Sequence, residues 1–109
     1  MKDHREAQAG CLRLNYVLSV LSGKYRISIL YLMANHNGTV RFNELRRSIG
    51  GIPCKTLSST LKRMEEDDLL SRVEFPQVPP RVEYSLTNRG WSLLPVLNAI
   101  DSWGIEHPQ

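Results

Sequence analysis

The four residues Gly50-Gly51-Ile52-Pro53 constrain this chain more than any others. Paired glycines supply the positive φ of a tight turn, and a proline just behind them opens a helix where its missing N–H costs nothing. Upstream, Leu45 and Ile49 stand four apart, predicting a short helix over 44–49 with Asn43 as its N-cap. Downstream, Leu57, Leu61 and Met64 recur at i, i+4 and i+7, predicting a longer helix from Cys54 to Asp68. Gly38 to Leu70 therefore reads as two helices about a sharp turn. At about 100° per residue, the face opposite the apolar stripe carries Lys55, Ser59 and Lys62, flanked by Thr56 and Ser58.

The charge pattern gives that face a meaning. Between Gly23 and Arg63 there are eight basic residues (Lys24, Arg26, Arg41, Arg46, Arg47, Lys55, Lys62, Arg63) and one acid, Glu44. From Met64 to Phe75 the balance reverses, with Glu65, Glu66, Asp67, Asp68 and Glu74 against Arg72 alone. A basic block followed by an acidic exit is the footprint of a surface that meets a polyanion. The first three turns of the Cys54 helix hold no acid, and short hydroxyls beside lysines allow close approach to a phosphate-lined groove. An ordinary solvent-facing helix is the competing explanation.

The remaining elements follow from local pattern. Residues 1–9 read as a flexible lead-in, and 10–109 as one domain, which 109 residues suffice to fold. Cys11 to Leu21 and Lys24 to Met33 show apolar spacings of three and four, predicting two helices. In the second, Ile27, Ile29, Leu30, Leu32 and Met33 form the expected buried side. Thr39 to Phe42 predicts a small strand. Leu69 to Phe75 and Val82 to Leu86 predict two more, joined by the stiff loop PQVPPR. Thr87 caps a last helix rich in apolar residues (Trp91, Leu94, Leu97, Ile100 and Trp103 among them), with a kink expected at Pro95. So wide an apolar surface exceeds what a small domain covers, so a second copy of the chain is the expected cover.

Other classes find no support. No window approaches ~18 consecutive apolar residues, so no membrane span is expected. The polar start MKDHREAQAG lacks the apolar core of a signal peptide, which points to the cytoplasm. Two cysteines make no disulfide framework. His4, His36 and His107 show no ligand spacing with Cys11 or Cys54, and no catalytic motif is present, so neither metal, cofactor nor enzymatic activity is expected.

Taken together, Gly23-Lys24-Tyr25, Arg41-Phe42-Asn43-Glu44-Leu45, Gly51-Ile52-Pro53, Leu57, Leu61, the run PPRVEYSLTNRG (Pro79 to Gly90), Leu94-Pro95-Val96-Leu97 and Trp103-Gly104 resemble the HxlR-type transcriptional regulators, a MarR-like branch of the winged helix-turn-helix proteins. The likeness spans Cys11 to His107 in order. It implies a mainly α fold with a small β-hairpin wing (α+β), dimerising through its terminal helices. It further implies a homodimeric, sequence-specific regulator, expected to be a repressor, on a pseudo-palindromic operator in double-stranded DNA, with room for a small-molecule effector. Tyr25 stands where the family usually has Trp, Asp68 where a Gly often follows the reading helix, and Leu12 follows Cys11 where many members have a Cys-Pro pair.

On this footing Lys55, Thr56, Ser58, Ser59 and Lys62 are the candidate DNA contacts on the reading helix. Arg81 at the wing tip is a further candidate, its alternative being an ion pair with Glu83. Arg41, Arg46, Arg47 and Lys24 are candidate phosphate contacts. Leu14, Leu18, Trp91, Leu94, Leu97, Ile100 and Trp103 are the candidate dimer interface. Cys11 and Cys54 are candidate thiol sensors, Cys54 because a helix N-terminus favours the thiolate. A winged helix that docks on protein and has lost DNA binding is the remaining alternative.

Overall fold

The computed structural model describes residues 3–109; the first two positions of the expected lead-in lie outside them. Helices α1 (His4–Leu21) and α2 (Arg26–Asn35) precede strand β1 (Thr39–Arg41), followed by α3 (Phe42–Ile49) and α4 (Cys54–Glu66). Strands β2 (Leu70–Phe75) and β3 (Arg81–Leu86) form the wing, and α5 (Asn88–Ser92) and α6 (Leu94–Glu106) end the chain. The sheet order is β1-β3-β2, antiparallel throughout.

The core gathers the predicted stripes. Leu57, Leu61 and Met64 of α4 are fully buried beside Leu45, Ile29, Leu30, Met33, Leu69 and Leu70. Val40 and Tyr84 close it from the sheet. Gly50 and Gly51 adopt φ of 68° and 70°, which gives α3 and α4 their sharp turn. Beyond α4, Asp68 takes a left-handed conformation at φ 59°, where a glycine would be at ease. Thr87 caps α5 as expected, its hydroxyl accepting from the Gly90 N–H at 3.0 Å.

Several expectations need correction. Residues 4–9 are helical rather than a loose lead-in, because Asp3 caps α1 by accepting from the Glu6 N–H at 2.9 Å. The second helix starts at Arg26, leaving Lys24 in the turn, and Ile27 points outward. Arg41, not Asn43, occupies the N-cap of α3, so Asn43 lies within the first turn. The reading helix ends at Glu66, two residues early. Pro95 does not kink a continuous helix: the chain breaks at Leu93, and Pro95 sits in the first turn of α6, where its lost N–H would have had no partner.

The molecule is long, with extents of 61 × 31 × 24 Å and a radius of gyration of 16.3 Å. A compact chain of this length should have about 13 Å. Most of the large exposed apolar side chains lie on α1 and α6. Of the 18 residues of α1 only Leu21 is buried, while Leu12, Leu14, Tyr16 and Leu18 are exposed. On α6, Val96, Ile100, Trp103 and Ile105 are exposed as well. Among the described residues, no single helix is long and apolar enough to cross a membrane.

Candidate nucleic-acid interface

Helix α4 presents Lys55, Ser58, Ser59 and Lys62 to solvent, with Thr56 half-buried at the edge of the face. Its hydroxyls are not equivalent. Ser59 Oγ donates back to the Thr56 carbonyl at 3.1 Å, while Ser58 lines the cleft between α4 and the wing. The predicted division of α4 into a buried stripe and a basic, hydroxyl-bearing stripe is thus what the fold produces.

The cleft, about 730 Å³, is walled by Arg41, Asn43, Glu44 and Arg47 from the α3 side, by Cys54 and Ser58 from α4, and by Arg72, Gln77, Arg81, Val82 and Tyr84 from the wing. Four arginines therefore converge on one groove beside the reading helix. Arg46 lies outside it, in a second hollow with Arg47 over the Gly50-Gly51 turn. Lys24 is also outside the cleft, its ammonium 5.4 Å from the Tyr25 ring centroid. Arg26, another member of the basic block, is mostly buried and tied to Asp67 at 2.6 Å, so it offers no charge to a ligand.

Arg81 realises the alternative weighed for it. Its guanidinium stacks 4.1 Å from the Phe75 ring centroid, and Nε lies 3.1 Å from Glu83 Oε2. The Nε is not well aimed for a hydrogen bond, so the contact is chiefly Coulombic. Glu83 also has Arg41 Nε at 3.9 Å, so one carboxylate on β3 stands between two arginines. The wing arginine is held against the sheet instead of projecting from the loop tip.

Arg72, alone in an acidic run, is a cleft residue that the charge pattern hides. It pairs with Tyr84 across the sheet and lines the cleft. The Tyr84 hydroxyl beside it pushes its pKa further up, and Nη2 lies 3.6 Å from Glu74 Oε2. Strand alternation could have found it, since Arg72 lies two residues beyond Leu70 and so shares the face turned toward α4.

The remaining candidates divide. Cys54 is exposed at the first turn of α4 and lines the cleft, whereas Cys11 is exposed in the body of α1, away from any helix end. Leu14, Leu18, Ile100 and Trp103 are exposed, and Leu94 is half-buried. Trp91 packs its ring against the Gly38 backbone, 2.5 Å from where a Cβ would stand, and leaves one edge open. Leu97 does not belong with them. It is only 4% exposed and part of the chain's own core.

The description "HxlR-like helix-turn-helix" fits residues 20–109 of the chain. An HTH-type transcriptional regulator of Halalkalibacterium halodurans is 50% identical over 92 residues, covering 84% of this chain and 80% of that one. Among solved structures, the redox regulator HypR in its reduced form superposes with a TM-score of 0.80 at 36% identity, covering 86% of this chain and 91% of that one. The transcriptional regulator YodB of Bacillus subtilis, also reduced, gives 0.76 at 26% identity over 89% of this chain and 93% of that one. With a reading helix, a turn and a wing in this order, the chain belongs to the HxlR family of winged helix-turn-helix transcriptional regulators.

Proposed function

We propose that the protein acts as a homodimer on a pseudo-palindromic operator, with each α4 in a major groove, the wing beside it, and repression as the outcome. The observation that carries the dimer is α1. A helix in a protein draws most of its stability from packing an apolar face, and of the 18 residues of this one only Leu21 is fully buried in its own protomer, with Val17 and Val20 half-buried against the core. Its exposed leucines, with Ile100 and Trp103 of α6, are stabilised when a second copy covers them. Two reading heads then lie about one helical turn apart, ~34 Å.

Lys55 and Ser58 are assigned to base edges, and Lys62, Arg41, Arg47 and Arg72 to phosphates. Thr56 and Ser59 are secondary contacts, and Arg81 supports the wing against the adjacent backbone. Binding to selected genomic fragments at two salt concentrations tests this reading. Lys62→Ala and Arg72→Ala should each weaken all sequences alike and reduce the salt slope by about one. Lys55→Ala should instead alter sequence preference. A salt slope unchanged in both phosphate variants would remove them from the interface, and absence of binding at low salt would favour a protein-docking role.

A second reading has support at one residue. Cys54 lies in the cleft itself, and HypR, which the chain resembles, has been solved in reduced and oxidised forms. Alkylation of Cys54 with iodoacetamide should lower DNA affinity by about tenfold or more, because the adduct occupies the groove wall. Cys54→Ser should be indifferent to the reagent. Equal affinity before and after alkylation would leave the thiol without a regulatory part.

A further inference from the structure

We propose that Arg26 is the strut that fixes the reading helix relative to the dimer-forming helix, and so sets the half-site spacing the protein accepts. The assignment rests on the dimeric DNA-binding reading above. Arg26 opens α2, and its side chain is 12% exposed. One nitrogen, Nη1, makes both of its contacts. It donates to the Val20 carbonyl in the last turn of α1 at 3.0 Å and to Asp67 Oδ2 at the C-cap of α4 at 2.6 Å. Its aliphatic stem lies against the Gly23 turn between α1 and α2, with Cγ 3.7 Å from where a Cβ would stand.

Few polar contacts compete with this one. Among the described residues, and apart from the local caps at Asp3 and Ser22, two side-chain hydrogen bonds join α1 to the rest of the protomer: Arg26 to Val20, and Arg89 Nη2 to the Tyr16 hydroxyl at 2.8 Å. Only the first continues directly into α4, through Asp67. Any tilt of α1 against the body must therefore stretch the Arg26 bridge or carry the end of α4 with it. The two half-sites of an operator are read together only if that angle is held. A change of one base pair in their separation rotates one head by about 34° relative to the other.

The test uses the full chain and DNA duplexes bearing its selected half-site as an inverted repeat. Centre-to-centre spacing is varied over about 8–14 base pairs, with a single half-site as reference. The native protein should show one optimum and lose about tenfold for each base pair away from it. Arg26→Ala should bind the single half-site as before, lose affinity at the optimum, and show a spacing penalty reduced to about threefold or less. Asp67→Asn, at a half-exposed position that leaves the Val20 contact in place, should flatten the profile in the same way without threatening the fold. Arg26→Lys should restore it, since one ammonium can make both bonds that one guanidinium nitrogen makes now. A uniform loss at all spacings, or an unaltered profile in both Arg26→Ala and Asp67→Asn, would overturn the strut. A native protein that binds without any spacing optimum would overturn the dimeric reading itself, and the strut with it.

Discussion

Trp103→Asp should convert the protein to a folded monomer and lower its affinity for a two-half-site operator by about 10²–10⁴-fold. Trp103 is 64% exposed in the single chain and its ring stacks on His107, with ring centroids 4.4 Å apart, so the substitution removes little that the fold needs. In the dimer it would place a charge among Val96, Ile100 and the leucines of α1, where desolvating a carboxylate costs several kcal/mol. Linked heads gain from a high effective concentration at the second half-site, and that gain disappears with the link. Affinity for a single half-site should be unchanged, because α3, α4 and the wing fold around a core that does not include Trp103. Light scattering and titration of the two kinds of duplex read both quantities. Far-UV circular dichroism should fall by no more than the share of α1, which loses its cover. A variant that remains dimeric, or that keeps native operator affinity, would remove α6 from the interface.

The reading head was legible because its signals are local. The Leu57/Leu61/Met64 stripe, the Gly50-Gly51 turn, the Thr87 cap and the strand expected over Thr39 to Phe42 each follow from a few neighbouring residues, and each is present, the strand one residue shorter because Phe42 opens α3. The terminal helices were harder, since apolar residues surround α6 and periodicity cannot say which stripe is core. Leu97 went to the protomer's interior, while Ile100 and Trp103 stayed outside. Residues 4–9 carry no apolar period at all; they are helical through the Asp3 cap, a single side chain that composition hides. The least legible features are the long-range ion pairs. Nothing in the sequence separates Arg26, spent on Asp67 forty-one residues away, from the arginines of the cleft. Nor does it show that Glu83 holds Arg41 as well as Arg81. A count of basic residues therefore overstated the charge free for DNA, and missed Arg72, which contributes to the cleft from within an acidic run.

Gly90→Ala should have the largest effect on stability of any single methyl added to the chain, at about 3 kcal/mol or more. Gly90 is buried in α5, directly over the start of β2. A Cβ there would overlap the Leu69 carbonyl oxygen and come within 3.1 Å of Leu86 Cδ2. The carbonyl cannot swing aside, because it accepts from the Thr87 N–H at 3.1 Å, and the Thr87 hydroxyl is bonded to the neighbouring Asp68 carbonyl at 2.6 Å. Relief would require α5 to lift from the sheet, breaking both bonds and loosening the fully buried Leu69 and Leu70 beneath. Against a total of some 5–15 kcal/mol, the midpoint of thermal unfolding should fall by roughly 10–20 °C. Gly104→Ala supplies the opposite sign. Among the described residues, nothing beyond its own helix backbone comes within 4 Å of the added methyl, and alanine in a helix interior is favoured by about 1 kcal/mol over glycine. Parallel denaturation of the two variants separates contact at α5 from helix propensity, since propensity alone would stabilise both. If Gly90→Ala unfolds at or above the native midpoint, α5 is not seated on β2 as described, and the cap that joins the wing to α6 must hold by other contacts.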